Sequence, residues 1–374
     1  LQQRSKDSHQ AFERSVLIAT FLLLIVGLTH VLSTTYLPSL EVSGDGFLLF
    51  KRQLLFAGAG LVLLFLFYKL PMRAINIGFV AIWVLSFLGV VLTLIPGIGV
   101  TVGGAHRWLQ ITSGLRIQPS EFLKISLPFA LALALVFWKV KSISVQVLAL
   151  IFLVGPIGIL LLQPDFGSFA LCLLVVGFVI FALGLPLKFL TGAAVLAVPL
   201  FYFIVMAVPY RRARFTAFLD PWGDPQASGF QIIQSLLSFK SGGLFGAGPG
   251  QSQGKMFFLP EAHTDFALSI FVEEWGYVGF LALMSVMLFL VFKAFQVSLR
   301  AKSEFRQVVA FGIAILLSLN ILISAGVVMG LVPTKGLATP FLSYGGSHLI
   351  ATLISVGVLL NLYRFDHQSS RGAK

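Results

Sequence analysis

From Phe258 to Phe266 the chain reads Phe-Leu-Pro-Glu-Ala-His-Thr-Asp-Phe and then enters a long apolar run. Only 11% of the residues are charged, so Asp265 is a carboxylate at the mouth of a membrane helix, where a functional role is the default reading. If Pro260 starts a helix, Glu261 and Asp265 stand four residues apart on one face. The positive end of such a helix favours ionised carboxylates. The chemistry this permits is general-base removal of a proton from a hydroxyl. A second reading has equal weight: Asp265 caps the helix, with Thr264 helping. His263 is read as a hydrogen-bonded histidine rather than a metal ligand, because no HExxH-like spacing surrounds it.

Other polar residues gather in a few loops. His106, Arg107 and Trp108 follow a Gly-Gly pair, and Arg116 precedes Gln118-Pro119-Ser120-Glu121. Gln118 or Ser120 can cap a helix that has Pro119 in its first turn. Lys124 then lies on nearly the same face as Glu121. The two either neutralise one another inside the membrane or present a cation, positioned by Glu121, to a phosphate. Arg211, Arg212 and Arg214 open the longest loop, and Asp220-Pro221-Trp222 is turn chemistry. Residues 230–237 alternate at helical period, as suits a helix lying in the membrane interface. The glycine-rich stretch 241–250 is either a hinge or a set of backbone amides for an oxyanion. Lys255 follows it. Glu273 and Glu274, deeper in the apolar run, require a partner or a wet cavity and are read as structural or gating. The last loop holds Lys335 and the cluster Ser343-Tyr344-Gly345-Gly346-Ser347. Such irregular, donor-rich backbone at membrane depth predicts a cavity wall.

The elements that must position these groups follow from composition. The 374 residues are 57% hydrophobic, with a mean hydropathy of +0.96, which excludes a soluble domain. Apolar runs long enough to cross a bilayer recur throughout. They lack strand alternation, so helices are expected. The expected fold is all-α and polytopic, with about ten spans at 15–34, 47–68, 75–96, 119–138, 146–163, 168–185, 188–208, 264–294, 307–330 and 347–363. It is read as a single integral membrane domain over 1–374, with tails at 1–14 and 365–374 and a large loop, 210–264, between the seventh and eighth spans. The first run is too long for a signal peptide and lacks a cleavage pattern, so a retained span is expected. The lone Cys172 leaves no disulfide framework and no CxxC metal site.

Basic residues set the orientation. Most of the 26 Lys and Arg residues fall on the side of the termini, which predicts cytoplasmic termini. Eleven fall on the other side: Lys51, Arg52, Arg107, Arg116, Lys124, Arg211, Arg212, Arg214, Lys240, Lys255 and Lys335. Individually they suit lipid headgroups; as a group they favour an anionic ligand such as a phosphate on the outer face. Long loops also lie on that side, which points to an extracytoplasmic working site. No nucleic-acid partner is expected.

These stretches, in this order, resemble the SEDS family (shape, elongation, division, sporulation) of bacterial membrane proteins. The resemblance rests on Arg107-Trp108, Gln118-Pro119-Ser120-Glu121, Gln163-Pro164-Asp165-Phe166-Gly167, the 260–266 run and Ser343-Tyr344-Gly345-Gly346-Ser347, and it spans nearly the whole chain. Arg211-Arg212-Ala213-Arg214, Asp220-Pro221-Trp222, Gly250-Gln251-Ser252 and Pro333-Thr334-Lys335-Gly336 are more similar to the division branch than to the elongation branch; a sporulation relative stays open. Ala267-Leu268 stands where members often have Ile-Phe, and His348 where they usually have a second serine.

The resemblance implies a peptidoglycan glycosyltransferase of the inner membrane with a GT-C-like fold. It would polymerise lipid II, a disaccharide–pentapeptide on undecaprenyl diphosphate, with inversion. It maps the family's functional aspartate onto Asp265. Implied partners are a class B penicillin-binding protein and other divisome proteins. A divalent cation, Mg or Mn, can share in holding the diphosphate, with Glu261 as a ligand. Candidate substrate-binding residues are Arg107, Arg116, Glu121, Lys124, Arg214, Lys255, Glu261, His263, Lys335, Ser343, Tyr344 and Ser347. Two rivals remain at this level: a lipid II flippase, to which the intramembrane Glu121, Lys124, Glu273 and Glu274 are suited, and a non-catalytic scaffold.

Overall fold

The computed structural model describes residues 2–102, 105–112, 115–184, 208–227, 229–259, 261–334 and 336–369, with positions 188, 191, 192, 195, 199, 202 and 206. Apolar runs become helices because every backbone amide can then be satisfied without water. Helix α1 (Gln2–Ser43) leads to α2 (Leu48–Lys69), α3 (Met72–Thr93), α4 (Pro119–Trp138), α5 (Ile143–Gly158) and α6 (Phe166–Ala182). After these come α7 (Pro209–Leu219), α8 (Phe230–Gly242), α9 (Ala267–Arg300), α10 (Glu304–Val328) and α11 (Gly346–Ser369).

Among the described residues eight helices are long and apolar enough to cross a membrane, and α6 is a shorter apolar one. The chain is therefore a multi-pass helical membrane protein. The seventh expected span, 188–208, lies mostly outside the described residues. Helix α1 outruns its expectation of 15–34: its 42 residues amount to roughly 60 Å at 1.5 Å per residue, about twice the hydrocarbon thickness.

One departure from an all-α fold lies between α3 and α4. Strands β1 (Gly99–Val102), β2 (Ala105–Thr112) and β3 (Leu115–Ile117) form an antiparallel sheet in the order β1-β2-β3. Val100 pairs with Trp108, and Gln110 with Arg116.

Helices α4 and α11 are buried on nearly every side, α11 almost completely, as expected for helices apolar all round. The start of α1 meets the end of α11, where Phe12 and Tyr363 stack at 3.8 Å and His9 lies 4.4 Å from His367. Both ends of the described chain therefore share one end of the bundle. At the other end the N-termini of α4, α6, α9 and α11 converge. Gln118 N donates to Ser347 Oγ at 3.0 Å, Ser120 Oγ to Asp165 Oδ2 at 3.5 Å, and Tyr344 N to His263 O at 2.8 Å. Four positive helix ends at one place favour negative charge there.

Candidate active site

Residues 261–266 form a turn, not the expected first turn of a helix. Glu261 takes a left-handed φ of 57°, and its carbonyl accepts from Thr264 N at 3.1 Å and Phe266 N at 3.2 Å. Thr264 Oγ1 donates to Glu261 Oε2 at 2.6 Å. Helix α9 begins only at Ala267, with Phe266 at its N-cap and no side-chain cap bond. Glu261 and Asp265 therefore do not share a helical face, and Asp265 is not a cap. Pro260 lies outside the described residues. The 339–344 loop braces the turn: Ser343 Oγ accepts from Thr339 N at 2.8 Å and donates to Thr264 O at 2.6 Å.

The turn leaves Asp265 partly buried, and among the described residues no donor hydrogen-bonds its carboxylate. Burial pushes its pKa up from the usual 3.8 to about 7, and the charge of Glu261 adds to the rise; Arg214 and Arg107 oppose it, and Asp165 supports it weakly. A carboxylate poised near neutrality is suited to take a proton. Burial also holds His263 below the usual imidazole range, against the pull of Glu261, and raises the Tyr344 hydroxyl against the opposing charge of Arg52.

Arg107 reaches this site from β2. Its Nη2 donates to Pro164 O at 2.6 Å, and its Nη1 lies 3.9 Å from Asp165 Oδ1. Asp165 is itself fixed as the N-cap of α6, accepting from Ser168 N at 3.2 Å. Gly336 fills the space between: a Cβ there would stand 3.3 Å from Arg107 Nη1 and 3.5 Å from Asp265 Oδ2. From α7, Arg214 Nη1 donates to Thr334 O at 3.4 Å. Two guanidinium groups thus flank a carboxylate that has no hydrogen-bond donor among the described residues.

Several other candidates lie elsewhere. Arg116 is exposed on β3. Glu121 and Lys124 are 6% and 3% exposed and bond one another at 2.7 Å; His348 Nδ1 sits 2.8 Å from the second Glu121 oxygen. The neutralising-pair reading describes this geometry, and Lys124 points its ammonium at Glu121. Lys255 is buried against Glu274 at 3.0 Å and Ser33 at 2.9 Å. Ser347 is occupied by the Gln118 amide. Lys335 lies outside the described residues.

Two expectations for the long loop are corrected. Helix α8 does not simply lie in the interface: Ile232, Ile233 and Ser235 are buried, and Ser235 Oγ bonds Ser269 Oγ and Val328 O, both at 2.6 Å. Nor is the glycine-rich stretch an open set of amides. Helix α9 kinks at Gly276, φ 68°, and the loop satisfies the freed backbone: Ala247 N donates to Glu273 O at 2.9 Å and Gly248 N to Glu274 O at 3.1 Å.

Sequence reasoning missed Asp165, Ser120 and Gly336 as parts of the site. Asp165 carried a signal, an Asp directly before a long apolar run, which is a helix-start pattern. Gly336 carried none, since its role is to be small beside two residues far away in sequence. Among the described residues no three His, Cys, Asp or Glu side chains gather, and Thr264 engages one oxygen of Glu261, the residue expected to hold a divalent cation.

Comparison with known proteins agrees with this architecture. A family model described as "Cell cycle protein", covering FtsW, RodA and SpoVE, matches residues 14–368. A Geobacter metallireducens protein described as "Probable peptidoglycan glycosyltransferase FtsW" is 40% identical over 94% of this chain and 95% of its own length. "Stage V sporulation protein E" of Bacillus subtilis is 37% identical over 94% of this chain and 96% of its own. A chain from a study of "Structural coordination of polymerization and crosslinking by a peptidoglycan synthase complex" superposes with a TM-score of 0.76 at 30% identity, covering 94% of this chain and 98% of that one. Thermus thermophilus RodA superposes at 0.67 with 28% identity, covering 93% and 95%. The present chain belongs to the FtsW, RodA and SpoVE family of cell cycle proteins.

Proposed function

We propose that this chain is a peptidoglycan glycosyltransferase that polymerises lipid II, with Asp265 as its general base. The observation that carries the reading is the Asp265 carboxylate, raised to about 7, free of protein donors among the described residues and flanked by Arg107 and Arg214. Asp265 takes the proton from the acceptor sugar's 4-hydroxyl as that oxygen attacks the anomeric carbon of the donor. Carbon–oxygen bond formation on one side accompanies departure of the lipid diphosphate from the other, so an α-linked donor yields a β-1,4 link. Arg107 and Arg214 hold the charge that develops on the leaving diphosphate, the kind of electrostatic assistance that dominates such reactions. The four converging helix N-termini add to the same field.

The excess of Lys and Arg at the end with the termini favours a cytoplasmic placement of that end and an extracytoplasmic Asp265. The division role follows the FtsW relatives, and a class B penicillin-binding protein is the proposed partner, supported by the likeness to a chain from a peptidoglycan synthase complex. The flippase reading loses its main support, because Glu121 pairs with Lys124 and Glu274 with Lys255, leaving no mobile charge in those pairs for a carrier. The test supplies labelled lipid II to the purified chain with its transpeptidase partner and follows polymer and translocation separately. Polymer supports the reading; translocation without polymer overturns it.

A further inference from the structure

Away from Asp265, a cavity of about 430 Å³ opens beside α8, where Gln234, Leu237, Lys240, Ser241 and Gln253 surround Glu273. Glu273 is only 4% exposed, yet its carboxylate meets neutral donors alone among the described residues. Its Oε2 accepts from Ser252 Oγ at 2.5 Å, Ser238 Oγ at 3.3 Å and Gly254 N at 3.3 Å, and its Oε1 accepts from Gln253 N at 2.9 Å. The adjacent Glu274, by contrast, has an ammonium partner in Lys255. Buried charges ordinarily find an opposite charge. A carboxylate oxygen accepts two bonds, so Oε1 keeps one position open. Three of the four donors anchor the 252–254 segment and the fourth, Ser238, comes from α8; being neutral, they leave the negative charge unbalanced.

Lys240, exposed in the last turn of α8, lines the same cavity. The cavity therefore has a carboxylate at its floor and an ammonium at its rim, with the amide side chains of Gln234 and Gln253 beside them. A simple anion is repelled by Glu273, and a hydrocarbon leaves these polar groups without partners. The complementary ligand carries an ammonium, a carboxylate and peptide amides. We propose that this cavity is a binding site for the end of a peptide, its ammonium on Glu273 and its carboxylate on Lys240. The inference stands apart from the glycosyl-transfer chemistry. A peptide borne by the saccharide substrate and a free peptide present the same groups.

The test is calorimetric titration of the purified full chain with Nα-acetyl-Gly-Lys, which has a free ε-ammonium and a free carboxylate. Its ε-acetylated and C-terminally amidated forms serve as comparisons. The parent peptide is expected to saturate, and each blocked form to bind at least tenfold more weakly. Lys240→Ala should bind the parent and the amide equally; Glu273→Gln should bind the parent and the ε-acetylated form equally. Lys240 is exposed, so its variant folds even where Glu273→Gln does not. Absence of saturable binding, or blocked forms that bind as well as the parent, overturns the proposal. Inhibition of polymerisation by the parent peptide in wild type but not in Lys240→Ala identifies a substrate-borne peptide; selective binding without inhibition identifies a free one. Selective peptide binding in a wild-type chain that makes no polymer removes the glycosyltransferase reading alone, whereas polymer without selective peptide binding removes this inference alone.

Discussion

Arg107 and Asp265 face one another across Gly336, whose missing side chain would stand 3.3 Å from Arg107 Nη1 and 3.5 Å from Asp265 Oδ2. A methyl group at this position would crowd both the base and the guanidinium. Gly336 is not in the left-handed region, so Gly336→Ala strains no backbone and acts through that methyl group. Misplacing reacting groups by a fraction of an ångström is costly. Gly336→Ala should lower the polymerisation rate by about tenfold or more with an unchanged melting temperature, as measured by gel assay of polymer and by thermal unfolding.

The raised pKa of Asp265 sets a pH profile. The active form of a base is ionised, so kcat/KM should fall as pH drops through about 7. Glu261 contributes to the rise, so Glu261→Gln should move the acid limb to lower pH, by less than about one unit because Glu261 is exposed and its field is screened.

The same shift is linked to stability. A carboxyl group whose folded pKa lies above its unfolded value favours folding only while protonated, and that contribution is lost as pH rises from 3.8 to about 7. Asp265→Asn removes the cost of an ionised, partly buried carboxylate. Its melting temperature should exceed that of the wild type at pH 8, and the difference should vanish below pH 4.

Asp165 has two duties that a single variant separates. It caps α6 through Ser168 N and steadies Arg107. Asparagine caps a helix about as well as aspartate but lacks the charge that orients the guanidinium. Asp165→Asn should keep its melting temperature and lose kcat/KM, whereas Asp165→Ala should also lose about 1 kcal/mol of stability.

The buried Glu121–Lys124–His348 group is a stability element. Among the described residues Lys124→Met leaves the Glu121 carboxylate with His348 as its remaining side-chain partner and should destabilise by about 3–5 kcal/mol. Adding Glu121→Gln should recover much of that loss, because the unpaired charge is then gone. A double-mutant cycle by chemical denaturation in micelles measures the coupling.

How much of this was legible depends on range. The spans were readable because each run of apolar residues is a local signal, and α4 begins at Pro119 as its proline indicates, although its N-cap residue Gln118 makes no side-chain cap bond. The β1–β3 sheet was missed although Gly103-Gly104 and Ser113-Gly114 separate its strands, because the Arg and Trp between them drew attention as chemistry rather than as strand. The start of α9 was misread because nothing local announces the left-handed Glu261. The Glu121–Lys124 pair was legible from its three-residue spacing, but His348 beside Glu121, Ser252 beside Glu273 and Ser33 beside Glu274 are distant in sequence and come together only in the fold. Asp265 stands out in the sequence as a carboxylate at the mouth of an apolar run, and the fold sets it in the fields of Glu261, Arg214 and Arg107.

Polymerisation of labelled lipid II by Asp265→Asn is the most direct measurement. The expected result is a folded variant that still binds the lipid and makes no glycan strand, beside a wild type that does. Glycan strands of wild-type length and yield from that variant would contradict the account, because another group would then be taking the proton.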